Sequence, residues 1–105
     1  MFVHCVYFTL SDNSDAAKQE LIDDCHKFLA SIPGIVFFAA GSLAGLSRPV
    51  NDREFDVALT IAFEDQAAHD AYADHPQHVA FVEKNQSDWK QVRVFDSDVA
   101  PQPRR

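Results

Sequence analysis

Residues 2–10 read Phe2-Val3-His4-Cys5-Val6-Tyr7-Phe8-Thr9-Leu10, a run of β-branched and aromatic residues that predicts a strand. Side chains alternate between the two faces of a strand, so Phe2, Val6 and Phe8 share one face while Val3, Cys5 and Tyr7 share the other. Both faces are therefore apolar. An antiparallel sheet with one face in water alternates apolar with polar residues instead, so this strand predicts a sheet covered on both sides. If helices cover one side, the simplest cover for the other is a second copy of the chain, since a two-fold dimer lets two like sheets face each other. The competing reading is a monomer with a few solvent-facing apolar groups.

The flanking segments supply the rest of the order. Ser11-Asp12-Asn13-Ser14 is a turn leading to a helix cap, and from about Asp15 apolar residues recur at Leu21, Cys25, Phe28, Leu29 and Ile32 with one-sided helical spacing until Pro33-Gly34. Residues 35–43 form a second apolar strand, followed by an exposed Gly- and Pro-punctuated loop over residues 45–52. Phe55, Val57, Leu59, Ile61 and Phe63 alternate with Asp56, Ala58, Thr60 and Ala62, which predicts a strand with bulky residues on one face and small ones on the other. A short helix from Glu64-Asp65 to Tyr72, a second from Pro76 to about Asn85, and a strand over residues 92–95 complete the chain. The expected fold class is α+β, a ferredoxin-like βαββαβ unit with an antiparallel sheet whose second face is covered by a two-fold mate. Residues 1–98 are read as the domain and residues 99–105 as a flexible C-terminal tail.

Bulk properties narrow the function. With 105 residues there is room for one domain, and 47% hydrophobic residues including nine Phe give it material for a core. A net charge of −7 with scattered basic residues argues against nucleic acid or an anionic membrane surface as partner. No apolar run approaches the roughly 20 residues that span a bilayer, and the first residues show neither a basic n-region nor a small-residue cleavage site, so a cytoplasmic protein is expected. Cys5 and Cys25 are read as free thiols on a strand and a helix.

The chemistry-bearing residues concentrate in Tyr72-Ala73-Asp74-His75-Pro76-Gln77-His78, where a phenol and two imidazoles surround a proline suited to the first turn of a helix. On these residues alone, Tyr72 packs and both histidines sit in water. A metal reading of His69, His75 and His78 with Asp70 and Asp74 has poor spacing, because a His-x-x-His pair across a proline corner does not share a helical face. No metal and no cofactor are expected. Trp89 with Phe81 and Phe95 is read as core rather than as a stacking platform.

Four segments together carry a family resemblance: Phe2-Val3-His4-Cys5-Val6, the strand ending in Ala62-Phe63-Glu64-Asp65, the Tyr72 to His78 block, and Asp88-Trp89 before Val94-Phe95-Asp96. The chain resembles the stress-responsive dimeric α/β-barrel (Dabb) family, including its polyketide (olivetolic acid) cyclase branch. The resemblance implies a ferredoxin-like protomer paired with a two-fold mate. It also implies catalytic roles for His78 and Tyr72 and a pocket-lining role for His4, while a further pocket histidine of the cyclase is replaced here by Val57.

Aldol-type cyclisation needs a base for a proton α to a carbonyl and a donor for the resulting oxyanion. A neutral His78 suits the first task and the Tyr72 phenol the second. The structural alternatives are a His78 that satisfies a backbone group at the helix start, a buried Tyr72 ring, and a hydrogen-bonded core His4. The expectation is a homodimer that binds a small apolar or aromatic molecule in a cavity between sheet and helices, with His4, Val57 and Phe81 as ligand-lining residues. The alternatives are a cyclase or lyase using His78 and Tyr72, and a structural dimer with no ligand.

Overall fold

Strand β1 (Phe2–Leu10) lies inside the sheet of the computed structural model, which describes residues 1–103. The other elements are α1 (Asp15–Asp24), β2 (Ile35–Ser42), β3 (Val57–Phe63), α2 (Gln66–Asp74), α3 (Pro76–Asn85) and β4 (Trp89–Asp98). The sheet order is β2-β3-β1-β4, and every neighbouring pair is antiparallel, the ferredoxin-like arrangement expected.

Alternation along the strands decides where the core sits. Phe2, Val6, Phe8 and Leu10 of β1 and Val57, Leu59, Ile61 and Phe63 of β3 are buried, and they pack with Leu21, Cys25, Leu29, Ile32, Tyr72 and Phe81. On the opposite face Ala58, Thr60 and Ala62 are small, and aromatic surface stays open: Phe37 is 55% exposed and Phe95 54%. Tyr7 stacks edge-on against Phe55 and Phe95 there, with ring centroids 4.9 and 5.8 Å apart.

Three elements differ from expectation. The first helix does not run regularly to Ile32: after Asp24 it widens into a π-helical turn, Cys25–Leu29. Leu21, Cys25, Leu29 and Ile32 all remain on the buried side. The third strand begins at Val57 rather than Phe55, because Asp56 bonds to the neighbouring β1 outside the regular ladder, its side chain taking the place of a backbone acceptor. Its N–H donates to the Phe8 carbonyl and its carboxylate accepts from the Leu10 N–H, both at 2.8 Å. The last strand is ten residues long, not four, although it contains Lys90, Gln91, Arg93, Asp96, Ser97 and Asp98. Pairing with β1 from Phe2↔Asp98 to Leu10↔Trp89 overrides its polar composition, as context overrides strand propensity generally.

Beyond β4, the Val99 N–H donates to the Met1 carbonyl at 2.9 Å. Residues 104–105 of the expected tail lie outside the described residues. Among the described residues no helix is long and apolar enough to cross a membrane.

Candidate functional site

The site grows from the corner between α2 and α3. Asp65 caps α2, its carboxylate accepting from the Ala68 N–H at 2.9 Å. Within that helix His69, Tyr72 and Ala73 are spaced i, i+3, i+4 and so share the face turned to the sheet. His75 is extended (φ −66°, ψ 137°), as a residue before proline should be, and its Nδ1 accepts from the Gln77 N–H at 3.1 Å. It is the cap of α3, with Pro76 in the first turn.

His78 follows one turn into α3, and its Nδ1–H donates to the Ala73 carbonyl at 2.9 Å. Because a carbonyl only accepts, this bond assigns the tautomer and leaves Nε2 with a free lone pair. The ring lies 4.8 Å from that of Tyr72. His4 reaches the same region from β1, where cross-strand register sets it opposite Asp96 and its Nδ1–H donates to the Asp96 carboxylate at 2.6 Å. His69 lies 4.6 Å from the Phe2 ring and 5.0 Å from the His4 ring, with its Nδ1–H on the Asp70 carboxylate at 3.1 Å.

These groups border a cavity of about 250 Å³ between the β1–β4 side of the sheet and α2–α3. Its polar wall is His4, His69, Tyr72 and His78; the rest is apolar, including Val6, Phe8, Leu59 and Phe81. Val92 and Val94 of the edge strand β4 line it while remaining partly exposed, which leaves the cavity open along that edge. Trp89 also lines it, and its Nε1 is the one buried side-chain nitrogen or oxygen without a partner among the described residues.

Electrostatics follow from burial. Desolvation pushes His78 below the usual imidazole range against the opposing Ala73 hydrogen bond, with His4 and His69 adding to the depression. His4 is lowered by burial too, although Asp96 pulls it the other way. This pair is therefore read as a neutral imidazole donating to a carboxylate rather than as an ion pair. Burial pushes the Tyr72 phenol well above its ordinary value, with Cys25 contributing, so it stays protonated and able to donate. The site thus presents a neutral base beside a neutral hydrogen-bond donor in an apolar surround, a combination suited to proton transfer next to a polarised oxygen.

Of the residues singled out from sequence, His4, Tyr72, His78 and Phe81 meet at this cavity. Val57 does not. It pairs with Phe8, is fully buried, and its short branched side chain ends in the core, so β3 contributes Leu59 to the lining instead. The grouping of His69, Asp70, Asp74, His75 and His78 does not assemble either, since His75 and His78 are each tied to backbone. Sequence reasoning missed His69 and Asp96 as neighbours of His4. The i, i+3 relation to Tyr72 was a usable signal for His69; for Asp96, 92 residues from its partner, only the strand register reveals it.

Comparison with known proteins places these observations. Residues 2–99 match the family model described as Stress responsive A/B Barrel Domain (Dabb). A Dabb family protein of ferredoxin-like fold from Mesorhizobium loti is 28% identical over 95% of this chain and 97% of its own, with a TM-score of 0.78. A dimeric ferredoxin-like protein of unknown function from Thermobifida fusca is 22% identical over 93% and 90%, with a TM-score of 0.78. A hydroxynitrile lyase from Passiflora edulis is 18% identical over 98% and 96%, with a TM-score of 0.76. Comparison with the curated proteins found no match.

Proposed function

The chain belongs to the stress-responsive A/B barrel (Dabb) family, and from that premise we propose that it binds a small apolar or aromatic molecule in the cavity bordered by His4, Tyr72, His78 and Phe81. The observation that carries this reading is the cavity itself: about 250 Å³, apolar over most of its lining, with polar groups gathered on one wall. Such a site buries a ring and orients one oxygen. We place the molecule in the cytoplasm as a homodimer, paired through the open sheet face, with residues 1–98 as the domain. The description of the T. fusca neighbour as dimeric supports the pairing. Within a family named for stress response, the cavity's ligand would be tied to that physiology.

A second reading, a cyclase or lyase, is favoured by one specific feature. His78 keeps Nε2 free beside a Tyr72 that remains a phenol, so His78 would take the proton α to a carbonyl while Tyr72 donates to the developing oxyanion. A fold shared with a hydroxynitrile lyase is compatible with such chemistry and does not define it.

The test is a thermal melt with p-cresol, acetophenone and indole as probes. A tenfold excess over Kd stabilises by about 1.4 kcal/mol, a rise on the order of 5–10 °C in a domain of this size. Val94→Trp, which fills the mouth of the cavity, abolishes the rise. No response from any probe, by melting or by NMR shift of residues lining the cavity, leaves the structural dimer without a ligand. Turnover of a linear poly-β-ketone that is lost in His78→Ala and Tyr72→Phe selects the enzyme.

A further inference from the structure

We infer that His4, His69 and Asp96 form a binding site for one divalent transition cation, of the zinc or ferrous class, beside the cavity. One ligand atom from each of these three residues lies within 4.8 Å of the other two. Two imidazoles and one carboxylate are a donor set that suits such ions and leaves coordination positions open. Zn–N and Zn–O bonds of about 2.0–2.2 Å put tetrahedral neighbours about 3.4 Å apart. Assembly therefore needs only side-chain adjustment: the 2.6 Å contact between His4 and Asp96 widens slightly and His69 closes in. The cation takes the place of the hydrogen that His4 and Asp96 share, and the His4 proton moves to Nε2, so the neutral ligand binds through Nδ1 with no change in proton count.

A second observation points the same way. The Nδ1–H of His69 donates to Asp70 at 3.1 Å, which orients the ring, keeps Nε2 unprotonated and able to ligate, and matches the carboxylate–histidine–metal pattern in which a carboxylate behind the imidazole holds it in place. The placement also fits. His4 and His69 side chains are 12% and 17% exposed and Asp96 39%, a site held by packing on one side and open to an incoming ion on the other. The chain's net charge of −7 favours a cation. The site uses neither Tyr72 nor His78, and it shares His4 and His69 with the cavity wall.

The experiment titrates EDTA-stripped, dialysed protein with Zn²⁺ at pH 7.5 by calorimetry and with Co²⁺ by visible absorption. The expected result is one ion per chain, with a Co²⁺ ligand-field band of nitrogen and oxygen ligation. His69→Gln and Asp96→Asn each weaken affinity at least tenfold, and Asp70→Asn weakens it about tenfold. His26→Gln, which removes an exposed imidazole elsewhere, changes nothing. Melts in EDTA establish that the variants fold, and binding of the aromatic probes in EDTA reports on the cavity separately. Absence of uptake at micromolar protein, or uptake that His69→Gln and Asp96→Asn leave unchanged, overturns the assignment.

Discussion

At the scale of single residues, His4 and His78 resist protonation because burial strips the water that would solvate an imidazolium. An unfolded histidine titrates near 6.5, so just below that pH the unfolded chain binds more protons than the folded one. The histidine contribution is therefore intact above about pH 6.5 and is lost as the pH falls through the lowered folded values. Asp12 and Asp52 are held below the usual carboxylate range by hydrogen bonds, Asp12 from Ser14 and Asp52 chiefly from Arg93, so their contributions are lost only at lower pH. Urea unfolding in EDTA between pH 7.5 and 5 should show a decline in stability that is shallower in His78→Gln. Identical slopes for the two proteins would sink this account. The tautomer of His78 is a property of position; the residue type alone left Nδ1 and Nε2 as alternatives.

At the scale of elements, the α2–α3 corner holds the site together. Pro76 made it legible, because proline prefers the first helical turn and keeps the preceding residue extended. The cap could not be read as easily: histidine is an unusual N-cap, and here it acts through Nδ1 on the Gln77 N–H. His75→Ala should destabilise the protein by about 1 kcal/mol, the usual effect of a lost N-cap, with His75→Asn restoring most of it. A denaturation midpoint unmoved by His75→Ala would show that the cap contributes nothing. The α1–β2 turn also locates α2. Gly34 has φ 92°, and a Cβ added there would stand 2.7 Å from the Ala68 Cβ. Its carbonyl accepts from the Glu64 N–H at 3.2 Å, which ties this turn to the entry of α2.

At the scale of the whole molecule, the sheet divides the protein into a packed face and an open one. The open face carries Phe37 and Phe95 and a depression of about 320 Å³ lined by Cys5, Tyr7, Phe55 and Phe95. The proposed dimer covers this surface, and the two cysteines make it measurable. Cys25 is fully buried and its thiol is pushed up to about 12 by desolvation, with Asp24 adding to the shift, so it should not react until the protein unfolds. Cys5 lies on the open face and should react with a maleimide more slowly as protein concentration rises through the dimer dissociation range. A Cys5 rate independent of concentration, with a monomer mass in sedimentation, would exclude pairing through this face.

The sequence by itself determined the order of the elements, the apolar character of both faces of β1 and the helical corner at His75-Pro76, because each depends on periodicity or backbone restriction within a few residues. Tertiary structure alone decided that His4 meets Asp96, that His69 turns toward both, that Leu59 rather than Val57 reaches the cavity, and that a polar β4 runs for ten residues. These outcomes depend on strand register and on how helices dock on a sheet. Both are set by the summed packing and hydrogen bonding of residues far apart in the chain, so no local pattern carries them.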